Sequence, residues 1–241
     1  MINVFKSSLI SEIQINDVDI NNKIYITLDV DWACDEVMCD TIELLERYNS
    51  KATFFITHTT PILNRLRQNK NIELGIHPNF NFLLNGSLEK GKDYREVISS
   101  LLKIVPEAKS VRSHSMTQNS NILQAFTDFE LTHDCNHFIS VSSQIELKPW
   151  YLWNGLVRCP YFWEDDVHII EKCNLSVYDL INFAGLKIFD FHPIHIFLNT
   201  EKLDRYEQTR SIHQKPKELI KHRFEGYGTR NRFIELLQNI N

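Results

Sequence analysis

Asp29 and Asp31 stand two residues apart at the end of an apolar run, Ile24-Tyr-Ile-Thr-Leu-Asp-Val-Asp-Trp32. Such a run reads as a buried strand, and two carboxylates that close at its end repel each other. A metal ion, an arginine or a shared proton would offset the repulsion. On an extended chain the two side chains share a face, which suits one metal ligand beside one general base. Further residues with the same potential follow short apolar runs. They are His77 in Glu73-Leu-Gly-Ile-His77-Pro, Arg112 and His114 in Val111-Arg-Ser-His114, and His192 and His195 in Phe191-His-Pro-Ile-His195.

These residues need strands to carry them. Strands are expected at Lys23–Asp29, Ala52–Thr57, Ile72–Ile76, Ser110–Ser113, Glu130–His133, Gly155–Cys159 and Leu186–His192. Helices are expected at Asp35–Tyr48, Pro61–Gln68, Asp93–Val105, Ser120–Phe129, Asp165–Cys173 and Arg230–Ile240. The first helix opens on acids and repeats apolar residues at helical spacing. Alternating strands and helices imply parallel pairing, in a barrel or a doubly wound sheet. Periodicity does not choose between these. In either case the candidate residues fall at or just after strand ends.

The chain has 241 residues, 43% apolar without counting glycine, and a net charge of −5. One α/β domain spanning 1–241 accommodates that length, its motif-bearing core at about 24–195 and C-terminal helices at about 200–241. The charge argues against a nucleic-acid or anionic-membrane partner. Five cysteines, with no C-x-x-C pair, argue against a disulfide framework or a structural zinc site. The N-terminus lacks an apolar signal core, and no run reaches the ~20 residues of a membrane span. A cytoplasmic protein is expected.

Taken in order, Asp29/Asp31, Lys51-Ala-Thr-Phe-Phe-Ile56, Glu73–His77, Val111–His114 and Phe191–Pro193 make the chain resemble the polysaccharide deacetylases. This is the NodB-homology family, carbohydrate esterase family 4, and the likeness is to its divergent members from bacterial O-antigen loci. It runs from about Ile24 to His195. The resemblance implies an α/β fold, a deformed (β/α) barrel of about seven parallel strands. It also implies a metal-dependent hydrolase that removes an N-acyl group from an amino sugar in a nucleotide-linked, lipid-linked or oligosaccharide precursor of a surface polysaccharide. In the family's terms Asp29 is the base, Asp31 and His77 ligate a divalent metal (zinc, or cobalt or nickel), Arg112 holds the base and His192 is the general acid. The family's second metal histidine is replaced by Asn81, a poor zinc ligand. Either His114 or His195 replaces it, or Asn81 and water hold metal weakly, or no metal binds; His114 is the favoured third ligand. Asp190 could orient the His192 ring or pair elsewhere.

The stretch Asn136–Asp166 is rich in aromatics and reads equally as packing or as a platform for sugar rings, with Tyr161, Trp163, Asn81 and His195 as candidate substrate contacts. A Cys-His-Asp hydrolase lacks a supporting signature, and neither a P-loop nor G-x-G-x-x-G occurs. The reading from a different class is an inactive barrel of the same kind that binds carbohydrate or a partner protein.

Overall fold

The computed structural model describes residues 5–31, 33–172 and 174–240. Trp32, which closes the apolar segment Ile24–Trp32, and Cys173, the last residue of an expected helix, lie outside the described residues. The strands are β1 (Lys6–Ser8), β2 (Lys23–Asp29), β3 (Ala52–Ile56), β4 (Ile72–Ile76), β5 (Ser110–Val111), β6 (His133–Asp134), β7 (Trp150–Tyr151), β8 (Val157–Arg158), β9 (Trp163–Glu164) and β10 (Ile188–Phe191). They form one curled sheet in the order β7-β8-β6-β5-β4-β3-β2-β10-β9, with β1 beside the start of β2. Only β7 runs antiparallel among the described strands. Bridges Phe138↔Tyr161 and Leu147↔Gly185 draw the loops between β6 and β10 across the open side. The architecture is the expected deformed (β/α) barrel. The later strands are two-residue pieces, shorter than the apolar runs suggested.

The packed helices are α1 (Asp35–Arg47), α2 (Leu63–Gln68), α3 (Asn81–Leu84), α4 (Tyr94–Ile104), α5 (Ser120–Asp128), α6 (Asp165–Glu171), α7 (Val177–Ile181), α8 (Pro193–Leu198), α9 (Leu203–Thr209), α10 (Pro216–Leu219) and α11 (Thr229–Gln238). The apolar stripe of α1 (Val37, Met38, Ile42, Leu44, Leu45) is buried, and α8 packs against α1 and α11. The central strands are buried on both faces, as parallel strands under helices must be. Burying a Leu, Ile or Phe side chain there stabilises by about 1.5–3 kcal/mol relative to exposure.

Alternation then decides what faces the barrel interior. In register, Thr27, Thr53 and Glu73 form one layer and Asp29, Phe55 and Gly75 the next. The turn Ile10–Glu12 closes the N-terminal end: Ile10 N–H donates to Thr53 Oγ1 (3.2 Å), and Ser11 N–H to Glu73 Oε2 (3.0 Å). Gly75 admits no side chain, since a Cβ there would lie 2.6 Å from Ser110 Oγ and 2.7 Å from the Phe55 ring. Among the described residues, no helix is long and apolar enough to cross a membrane.

Candidate active site

With the N-terminal end closed, the chemistry gathers at the opposite end, past the last residues of β2, β4, β5 and β10. Asp31 follows β2 in a left-handed conformation (φ 48°), which aspartate tolerates better than most residues. His77 follows β4, and His114 begins a turn two residues after Arg112. Asp31 Oδ1 lies 3.3 Å from His77 Nε2 and 3.1 Å from His114 Nδ1, and the two ring nitrogens are 3.4 Å apart. Three donor atoms on a tetrahedral zinc at ~2.1 Å would sit about 3.4 Å from one another. The triangle therefore has the dimensions of a metal's donor set, and two oxygen–nitrogen donor types that suit zinc. Burial opposes ionisation of Asp31, but hydrogen bonds from His114 and His77 outweigh it and hold the carboxyl well below its usual range.

Beside the triangle lies a buried ionic cluster. Arg112 Nη1 donates to Asp29 Oδ1 (3.0 Å), to Thr27 Oγ1 (2.9 Å) and to Asp190 Oδ1. The guanidinium is sandwiched between Phe55 and Tyr161, 4.8 and 4.3 Å from their ring centroids. Asp29 Oδ2 is 3.6 Å from His77 Nδ1, which places it between the arginine and the triangle. Burial, opposed only in part by Arg112, raises Asp190 to about 8. Asp190, which shares one guanidinium with a second carboxylate in a buried space, thus retains its proton near neutral pH. Asp190 pairs with Arg112 rather than with His192.

The partner of His192 is Asp165, the first residue of α6. Asp165 Oδ1 lies 2.8 Å from His192 Nδ1, and its Oδ2 accepts the His192 backbone N–H at 2.8 Å. The other ring nitrogen, Nε2, faces Asp31 Oδ2 at 3.8 Å. Burial would deprotonate this ring, but Asp165 outweighs it and raises His192 well above its usual range. In sequence Asp165 looks like an ordinary acid in a helix's first turn; its one pointer is its place directly after a buried strand.

Two cavities meet at the triangle. One of 870 Å³ runs along Thr57–Pro61, Phe82 and Lys90, and the other, of 310 Å³, is lined by Asp29, Arg112, Tyr161 and His192. Asp31, His77 and His114 border both. His195 also borders the smaller one, its ring edge-on to His192 at 5.6 Å and its Nδ1 3.0 Å from Thr200 Oγ1.

Asn81 and Trp163, expected among the substrate contacts, line neither cavity. The Asn81 amide bonds Ser115 Oγ and Thr117 Oγ1 (both 3.2 Å), bracing the turn that carries His114. Trp163 packs in the core, 4.7 Å from Phe191 centroid to centroid. Strand alternation accounts for the second: the next residue, Glu164, takes the cavity side instead. The exposed aromatics of the same stretch, Tyr151 and Trp153, lie on or beside the edge strand β7.

A WbmS-like polysaccharide deacetylase model matches residues 26–210. The fold superposes with a TM-score of 0.90 on a crystal structure from Bordetella bronchiseptica, described as a polysaccharide deacetylase involved in O-antigen biosynthesis (WbmS). That protein is 40% identical, over 98% of both chains. A polysaccharide deacetylase structure from Mycobacterium smegmatis is 14% identical over 90% of this chain and 92% of its own, with a TM-score of 0.47. A CE4 family pseudoenzyme from Bacillus anthracis is 14% identical over 85% and 62%, with a TM-score of 0.41. No curated protein matches. On the family match and the 40% identity across the whole fold, the chain belongs to the WbmS-like polysaccharide deacetylases.

Proposed function

We propose that this protein is a metal-dependent N-deacylase acting on an amino sugar of a surface-polysaccharide precursor. The observation that carries the reading is the triangle of Asp31 Oδ1, His77 Nε2 and His114 Nδ1, set between the Asp29–Arg112 pair and the Asp165–His192 pair. Asp31, His77 and His114 would hold a divalent ion. Such an ion, when bound, supplies acidification of a water and polarisation of the acyl carbonyl. Asp29 takes the proton of the attacking water, its Oδ1 fixed by Arg112 so that Oδ2 remains on the reaction side. His192, protonated because Asp165 faces its Nδ1, gives the Nε2 proton to the departing amine, a leaving group too poor to go as an anion. The family's O-antigen context and the 870 Å³ cavity support a sugar carried on a larger molecule.

The test pairs metal content with acetate release. The wild type should carry one equivalent of zinc, cobalt or nickel, lost in Asp31→Ala and His77→Ala. It should release acetate from N-acetylated amino sugars, nucleotide-linked or oligomeric. Asp29→Asn should bind the metal, stay folded and lose turnover by on the order of 10² or more. A wild type that takes up no metal yet binds amino sugars would establish the inactive, carbohydrate-binding alternative instead. Full turnover in Asp29→Asn would remove Asp29 from the role of base.

A further inference from the structure

The smaller cavity holds a carboxyl group that the reaction above does not use. Glu164 ends β9 and pairs across the ladder with Asp190, itself bound to Arg112 and Thr27. It lines the 310 Å³ space together with Asp29 and His192. Tyr161 donates its hydroxyl hydrogen to Glu164 Oε2 at 3.2 Å. Glu164 forms no ion pair among the described residues.

The charges around it are unbalanced. Acids face it from three elements: Asp190 on β10, Asp29 on β2 and Asp166 on α6. The nearby cations are already engaged, Arg112 with Asp29 and Asp190 and His192 with Asp165. One guanidinium and one imidazolium cannot sustain every carboxylate here in ionised form. Burial, then Asp190 and Asp166, raise Glu164 well above the usual range. A neutral carboxyl both donates and accepts. With the Tyr161 hydroxyl on Oε2, its own proton belongs on Oε1.

We propose that Glu164 is a substrate-binding residue, presenting a carboxyl O–H beside the Tyr161 ring to an uncharged hydroxyl or ring oxygen of the amino sugar. The identity of the ligand rests on the deacylase reading; the chemical state of the residue does not. An ionised glutamate would only accept hydrogen bonds, whereas this one donates. A sugar lacking the oxygen leaves a desolvated donor unpaired and is disfavoured.

Infrared difference spectra of wild type against Glu164→Gln at pH 7 read the group directly. A protonated carboxylic C=O band is expected in the wild type, absent from the variant, and displaced when N-acetylglucosamine tetrasaccharide is added. Calorimetry with the same tetrasaccharide should show Glu164→Ala weakened about tenfold and Glu164→Gln within about threefold of wild type, because an amide also donates. If Glu164→Ala does not fold, Tyr161→Phe takes its place: removing the donor to Oε2 should move the band of the free protein. The proposal fails if the band is missing at pH 7, if the tetrasaccharide leaves it unmoved, or if the Gln variant binds as weakly as the Ala variant. A displaced band without acetate release would instead count against the deacylase reading alone. Acetate release without the band would count against Glu164 alone.

Discussion

The charge state of His192 is decided between two residues. Burial lowers an imidazole from its ordinary value of ~6.5, and Asp165 raises this one well above it. A raised folded value means that the protonated form stabilises the fold below pH ~6.5 and that this contribution fades as pH climbs through the folded value. With His192 as the proposed general acid, turnover should fall on the alkaline side as it loses its proton. In Asp165→Asn the largest influence opposing burial is gone, leaving only Asp190 and Asp31 against it, and the alkaline limb of the kcat–pH profile should move to lower pH. The loss at pH 8 should be on the order of 10², larger than at pH 6. A limb that stays in place would assign the acid to another group. At this scale the sequence showed Asp29, Asp31, His77, Arg112, His114 and His192, each at the end of an apolar run. Asp165 and Glu164 did not stand out, because acids opening a helix are expected whatever they touch. Only the crossing of β9 beside β10 makes them neighbours of His192 and Asp190.

Among elements, the placing of the histidines depends on how closely three strands approach. Gly75 lets β4 pass Phe55 and Ser110, two residues before His77. Gly75→Ala should therefore cost about 1–3 kcal/mol by overpacking, seen as a lower urea midpoint at unchanged m, with weaker metal binding. A midpoint equal to wild type would show that β3 and β5 yield freely. The turn bearing His114 is fixed from a neighbouring strand end: Asn136 Oδ1 accepts the Ser113 backbone N–H (2.7 Å), and Asp134 in turn accepts from the Asn136 amide (2.7 Å) and forms an ion pair with Arg158 (Nε 2.6 Å away). Asn136→Ala should lower metal affinity about 10–100-fold, as the loss of outer supports to a ligand does, measurable by competition with a chelator. Unchanged affinity would mean that the Asn81 contacts alone hold the turn. The long central strands and α1, α4, α5 and α11 were legible from apolar periodicity. Of the two-residue strands, β5, β6 and β8 overlap expected strands, whereas β7 and β9 were not read, since so short a ladder leaves no period to read.

For the molecule as a whole, the buried apolar residues form one continuous cluster from Phe5 to Ile240. The C-terminal helices contribute Leu219, Phe233, Leu236 and Leu237 to it. Chemical unfolding should accordingly follow a single transition, coincident by near- and far-ultraviolet circular dichroism; two separated transitions would mark residues 200–240 as an independent unit. Metal bound only by the folded chain adds about 2.7 kcal/mol at a hundredfold excess over Kd, which for this length raises Tm by roughly 5–10 °C. Protein stripped by chelator should lose that increment, and its absence would mean the triangle holds no ion. The backbone at Asp31 works in the opposite direction. A left-handed aspartate costs the fold on the order of 1 kcal/mol that glycine would not. Where Asp31 holds an ion as proposed, selection for stability and selection for that ion oppose each other at this position. A lineage with no further use for the ion would gain by placing glycine there, and ordinary drift toward a sturdier chain would erase the site.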